Sequence, residues 1–349
     1  MSEASGKTTV VIRVDPDRPD PEAIARAAAV IRSGGLVAFP TETVYGLGAN
    51  ALDAEAARGI YIAKGRDPSD PCIVHIAHLR DLERVAAVRP RAIATLAGAW
   101  WPGPLSLVLP RAPGVPDVVT AGQPTVAVRM PDHPVALALI RAAGVPIAAP
   151  SANLFTHTSP TTAEHVLADL AGRIDLLLDA GPTKVGVEST ILDLTRTPPV
   201  LLRPGGIPLE WLRGLLGEVV VGGHGGTVAP GMMAKHYAPR AEVIFVSGPR
   251  EQALRELEDH ARRLLAAGKR IGLLLPEGEL AEIEAPGTLR YSLGRADDLA
   301  EAARRLFAGL RWLEQQGAEA ILARDLGEEG LGLAIRDRLT RAAGRGNGK

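Results

Sequence analysis

At 349 residues the chain allows two domains of about 100–200 residues, each with a buried core. It is 46% hydrophobic and 23% charged, no apolar run approaches the ~20 residues that cross a bilayer, and nothing in the small polar start suggests export, so the expectation is a cytoplasmic protein with no membrane partner. The 39 basic and 40 acidic residues leave a net charge of −1, which argues against broad nucleic-acid binding, and the single cysteine, Cys72, excludes a disulfide framework or a multi-cysteine metal centre.

From the N-terminus, Pro21 to Arg32 places Ala and Ile on one helical face, and Gly34-Gly35 leads into a short buried strand, Leu36 to Phe39. Cys72 to Ile76, Leu105 to Leu109, Val126 to Arg129, Pro146 to Ala149 and Ile191 to Leu194 read as further strands. This predicts a mixed α/β domain over residues 10–215. A Gly/Pro-rich linker follows over 216–239, running through Val221 to Gly231 and on to His236-Tyr237-Ala238-Pro239. Beyond it, strands at Val243 to Val246, Ile271 to Leu275 and Ala320 to Ala323 alternate with helices at Glu251 to Ala267, Asp297 to Gln316 and Leu331 to Ala343. That order predicts a smaller, Rossmann-like α/β domain over 240–345.

Three tempting patterns fail. Gly6-Lys7-Thr8-Thr9 has no strand ahead of it and no leading glycine, so it is not a phosphate-binding loop. The linker glycines do not spell a dinucleotide fingerprint, because Val228 fills the last glycine position. Cys72, His75 and His78, three apart on a strand, alternate faces and cannot converge on one metal.

Other segments carry chemistry. Pro40-Thr41-Glu42-Thr43-Val44-Tyr45-Gly46-Leu47-Gly48 follows the first strand, and its glycines read as a hydroxyl-rich loop open to a ligand. Lys64-Gly65-Arg66 spaces two cations by one glycine, which lets both face a polyphosphate. Pro150-Ser151-Ala152-Asn153 follows an apolar strand, Ser159-Pro160-Thr161-Thr162 starts a helix, and Gly186-Val187-Glu188-Ser189-Thr190 precedes a strand. Leu202-Arg203-Pro204-Gly205-Gly206 sets an arginine beside a forced turn, a geometry suited to an anion.

In order and spacing these segments, with WPGPLSLVLP from Trp101 and VAVRMPDHP from Val126, resemble the YrdC-type threonylcarbamoyl-AMP synthases over residues 1 to about 210. With the linker and Gly330 to Ile335 included, the whole chain resembles the long, two-domain form. The resemblance implies a twisted N-terminal domain with a concave pocket, and a reaction of L-threonine, bicarbonate and ATP that yields threonylcarbamoyl-AMP and pyrophosphate. It further implies a downstream tRNA threonylcarbamoyl transferase complex as partner, and at most a weak contact with tRNA itself.

Carried over position by position, the resemblance assigns Lys64, Arg66, Asp70, Thr125, Ser151, Asn153, Ser159 and Arg203 to ATP, with the linker closing over the nucleotide through Tyr237 or His236. It assigns Thr43, His75, Arg129, the Ala149 backbone and Ser189 to threonine, and gives Lys64, Arg66 and Arg203 the catalytic charge stabilisation. Mg²⁺ is expected on the phosphates, with no metal site built from the protein. Four departures stand out: Asp70 for the usual Asn, Ser106 for Thr, Phe155-Thr156-His157 for a smaller stretch, and Met233-Ala234-Lys235 where many relatives carry Tyr and Arg. An acidic Asp70 beside a triphosphate is unfavourable unless it helps hold Mg²⁺.

Two other classes fit the sequence less well. A non-catalytic RNA-binding or ribosome-associated module fits poorly with net charge −1 and 3% aromatic residues. A carbamoyltransferase of the hydrogenase-maturation type needs cysteine-rich zinc modules that one cysteine cannot supply.

Overall fold

A computed structural model describes residues 6–87, 92–222 and 237–344. The first strand is β1 (Val10–Arg13). Asp20 accepts the Glu22 N–H and Pro21 fills the first turn of α1 (Pro21–Arg32), whose Ala23, Ile24, Ala27, Ala28 and Ile31 form one buried stripe. Then come β2 (Val37–Pro40), β3 (Tyr45–Asn50) and α2 (Ala54–Lys64). Asp53 caps α2 at its start, and Gly65 ends it at φ 61°.

The segment from Pro40 to Gly48 is therefore not a loop after one strand. It is a hairpin, with β3 antiparallel to β2 and the glycines inside β3. A Cβ on Gly48 would stand 2.7 Å from Ile147 and from Phe39, so close side-chain packing, not loop freedom, demands glycine there. Alternation failed as a signal because this strand is buried on both faces.

Next are β4 (Ile73–His75), α3 (Ala92–Trp100), β5 (Leu105–Pro110), α4 (Asp117–Thr120), β6 (Thr125–Arg129) and α5 (Pro134–Ala143). They continue with β7 (Ile147–Ala148), α6 (Ala163–Leu170), β8 (Leu176–Asp179), β9 (Thr190–Asp193), β10 (Val200–Arg203), α7 (Leu209–Leu216) and β11 (Val220–Val221). Among the described residues these strands form one mixed eleven-stranded sheet, ordered β1-β8-β2-β3-β7-β4-β6-β5-β9-β10-β11. The edge strand β1 pairs in parallel with β8, Val10 opposite Leu176. One core lies where the α1 stripe meets Val135, Ala136, Leu139 and Ile140 of α5 over Val37, Phe39, Leu176 and Leu178.

The remaining elements are β12 (Glu242–Val246), α8 (Arg250–Ala266), β13 (Ile271–Leu275), α9 (Glu277–Glu282), β14 (Leu289–Ser292), α10 (Leu299–Gln315), β15 (Ala320–Arg324) and α11 (Gly332–Ala342). Their four strands are all parallel, ordered β12-β15-β13-β14. Period-two alternation decides the packing. Ile271, Leu273 and Leu275 share a core with Leu254 and Leu257 of α8, while Gly272 lies against Leu313 of α10.

The chain divides into two compact units. The second holds the described residues from 237 on together with Thr156–Thr158 and Val185–Val187, and the first holds the rest. Among the described residues no helix is long and apolar enough to cross a membrane.

Candidate active site

Strand register assembles the site. Across the first sheet, Cα partners run Ile147–His75–Arg129–Ser106–Ile191–Arg203, the last pairing reached through a register shift between Leu201 and Arg203. Partners opposite one another project to the same face, so His75, Arg129 and Ser106 form a polar row. Two residues along each strand, Ile73, Ala127 and Val108 pack with Ile191 and Leu202 as an apolar floor.

Ser189 joins the row at its end. Its Oγ lies 2.8 Å from Ser106 Oγ and accepts from Arg203 Nη2 at 3.1 Å, while Arg203 Nε and Nη2 also donate to the Ser189 carbonyl. This contact exists because the two motifs are fitted together. Gly206 N–H donates to Glu188 O, and Thr190 Oγ1 exchanges hydrogen bonds with the Ile207 backbone. A Cβ on Gly205 would lie 2.3–2.4 Å from backbone atoms of Glu188, Ser189 and Thr190. Beside them Ser159 Oγ donates to the buried Glu188 carboxylate.

Arg129 is held on three sides. The turn after Trp101 presents the Gly103 carbonyl to Nε at 3.2 Å, Thr43 Oγ1 accepts from Nη1 at 2.9 Å, and Glu42 Oε2 lies 2.6 Å from Nη2. The hairpin fixes Thr43, since Thr41 Oγ1 bonds both Thr43 Oγ1 and the Val44 carbonyl. His75 is 3% exposed and meets Phe39 edge to face. Burial, reinforced by the Arg129 charge, pushes its imidazole down to about 3 and keeps it neutral.

Thr125, at the far end of β6, is about 13 Å from Arg129, four residues at ~3.3 Å each. Arg66 is anchored apart from the row as well. Arg66 donates to the carbonyls of Asp70 and Pro71, pairs with the Asp70 carboxylate at 2.9 Å, and lies 5.9 Å from the Phe155 ring centroid. Lys64 has acceptors of its own, because the left-handed Gly65 turns the chain between the two cations. Its Nζ donates to the carbonyls of Ser151 and Asn153, each at 2.5 Å. Burial first, then Arg66, pushes the Lys64 ammonium well below the usual lysine range.

The sequence reading therefore finds its residues in three groups: Lys64 with Ser151 and Asn153; Arg66 with Asp70; and Thr43, His75, Arg129, Ser189 and Arg203 on or beside the row, with Thr125 at the far end of β6. Ser159 is tied to the last group through Glu188. Ala149 N–H is committed to Ile73 O, so its backbone reaches a ligand through the carbonyl. Tyr237 belongs to the second unit, at φ 62°, with Phe307 5.7 Å away and the Arg338 guanidinium 5.0 Å over its ring. His236 lies outside the described residues. Sequence reasoning missed Glu42 and Glu188, and the available signal was a carboxylate set inside each hydroxyl-rich motif.

Two family models match the chain. One described as Telomere recombination (Sua5, YciO, YrdC) covers residues 29–205, and one described as Threonylcarbamoyl-AMP synthase, C-terminal domain, covers 207–344. A threonylcarbamoyl-AMP synthase of Pyrococcus abyssi (strain GE5 / Orsay) is 47% identical over 342 residues, 96% of this chain and 98% of its own. Another, of Bacillus subtilis (strain 168), is 45% identical over 93% of this chain and 94% of its own. The crystal structure of P. abyssi Sua5 complexed with L-threonine matches with a TM-score of 0.91 at 46% identity, covering 97% of this chain and 98% of that one.

Proposed function

Since the chain belongs to the threonylcarbamoyl-AMP synthase family in its two-domain form, we propose how its own residues carry that reaction. The enzyme joins L-threonine, bicarbonate and ATP into threonylcarbamoyl-AMP, releasing pyrophosphate and water (no water where CO₂ itself enters), and its product serves tRNA modification. The threonine amine captures CO₂ as a carbamate, whose oxygen attacks the α-phosphorus in line with departing pyrophosphate. That nucleophile is already anionic. The protein's task is then to position it and to stabilise charge on phosphorus and on the leaving group.

Arg129 takes the threonine carboxylate, with Thr43, His75, Ser189 and the Ala149 carbonyl around the amino acid. Neutral His75 can offer a hydrogen bond without a second positive charge. Lys64, Arg66 and Arg203 face the nucleotide and carry the charge stabilisation, helped by Asp70, Thr125, Ser151, Asn153, Ser159 and Tyr237. Mg²⁺ rides on the phosphates, because the groups at the nucleotide end are mainly cations and hydroxyls and the carboxylates among them are engaged, Asp70 by Arg66 and Glu188 by Ser159. A tRNA threonylcarbamoyl transferase complex consumes the product in the cytoplasm. Net charge −1 leaves this chain only a weak hold on tRNA.

The observation that supports these roles best is the register-built row His75–Arg129–Ser106, joined to Arg203 through Ser189. The test is pyrophosphate release from MgATP with threonine and bicarbonate omitted in turn. Release is expected only with both present, with the adenylate seen by mass spectrometry. Release that ignores threonine overturns the amino-acid assignment, and no release from folded protein favours the RNA-binding alternative.

A further inference from the structure

Glu42 and Arg129 are buried side by side, 2.6 Å apart, with side chains 5% and 4% exposed. Yet neither Glu42 oxygen nor Arg129 Nη2 makes a hydrogen bond; the charges meet without the alignment a hydrogen bond requires. The rest of the guanidinium is spent, Nε on Gly103 O and Nη1 on Thr43 Oγ1, which fixes its orientation. One cationic and one anionic end, both desolvated and both with unused hydrogen-bonding capacity, therefore lie next to each other. Buried polar groups in that condition are uncommon and costly unless a ligand completes them.

An α-amino acid carries a carboxylate and an ammonium one carbon apart, the mirror of this pair. We propose that Glu42 receives the α-ammonium of L-threonine while Arg129 receives its carboxylate, a role that rests on the threonine reading of this site. Arg129 alone would accept any small carboxylate. With Glu42 at contact distance, a ligand that lacks the ammonium sets an uncompensated carboxylate against a buried one, so the pair selects amino acids over hydroxy acids. It also fixes the nitrogen that must be carboxylated. Thr43, next to Glu42 in the chain, accepts from Arg129 and ties the hairpin turn that carries Glu42 to the strand end that carries Arg129.

Titration calorimetry on the full chain tests this with two ligands: L-threonine, and 2,3-dihydroxybutanoate, in which a hydroxyl replaces the ammonium. Wild type should bind threonine roughly 10–100-fold more tightly, the factor for one hydrogen bond between charged groups. Glu42→Gln should weaken threonine by about that factor and leave the analogue within about threefold, closing the gap. Two results overturn the proposal: wild type binding both ligands alike, which needs no variant to fold, or Glu42→Gln weakening both equally, as a residue that merely holds Arg129 would. Arg129→Ala separates the two levels. Unchanged threonine affinity in that variant removes the threonine site and Glu42 with it. Lost threonine binding there, with a persistent gap in Glu42→Gln, removes only the Glu42 assignment.

Discussion

Lys64 is a buried cation whose bonded acceptors are two neutral carbonyls. Burial already works against its charge, so on the proposed role an arriving polyphosphate would meet an ammonium that gains from the contact. Lys64→Ala should lower kcat/KM for pyrophosphate release by ~10²–10³, the scale for one lost transition-state donor, in a variant with an unchanged circular dichroism spectrum. His75 gives a different handle. Its folded-state value of about 3 lies below the ordinary 6.5, so the unfolded chain binds a proton that the folded chain refuses. Stability is therefore full above pH 6.5 and falls as pH drops toward 3. Between pH 7 and 5 this one group should cost up to about 2 kcal/mol, a slope that urea unfolding should find reduced in His75→Gln. His133 adds a similar acid-side loss: burial pushes it down to about 4, and its neutral Nδ1 accepts the Val135 N–H at the start of α5.

At the scale of elements, glycines separate packing from freedom. Gly205→Ala drives a methyl into the backbone of Glu188–Thr190 and should destabilise by about 1–3 kcal/mol or more, dragging Arg203 and Ser189 out of register. Gly98→Ala, exposed in α3 with nothing near its would-be Cβ, should instead stabilise by about 0.5–1 kcal/mol, so thermal melts of the two variants should move in opposite directions. The same contrast explains what the sequence made legible. α1 was readable to the residue, because an Asp20-Pro21 start, a one-sided apolar stripe and Gly34 all agree. Strand β3 was not: Tyr45 to Ala49 is buried throughout, leaving no alternation to read, and its glycines mimic a loop. The polar row was legible only as separate motifs. Register is a pairing between distant segments, and nothing local in VAVRMP states that Arg129 will lie opposite both His75 and Ser106. Glu42 escaped for a related reason, since its role depends on which cation the sheet brings to it.

For the whole molecule, the grouping of Thr156–Thr158 and Val185–Val187 with the residues from 237 on means that the second unit is not simply appended. Ala238 N–H donates to Thr156 O at 2.9 Å, Arg311 donates to Thr158 O, and Gly186 lies where a Cβ would strike the Arg304 backbone. A chain ended after Gly231 retains every strand of the large sheet but loses these partners. It should fold, with amide exchange near 156–158 at least tenfold faster and exchange in α1 unchanged, as hydrogen-exchange mass spectrometry would report. On the role proposed for Tyr237, its turnover should fall too.

The pairing of β1 with β8 sets a clock on synthesis. Val10 leaves the ribosome early, but its partner Leu176 follows 166 residues later, roughly 10–30 s at ordinary elongation rates. Until then the parallel edge of β2 also lacks β8, and two short apolar strands wait with open backbone hydrogen bonds. The nascent chain is thus most exposed to mispairing well before the residues around Arg203 have been made. A ribosome stalled between these two points would hold a half-built sheet, which makes translation speed across this stretch a determinant of the yield of folded enzyme.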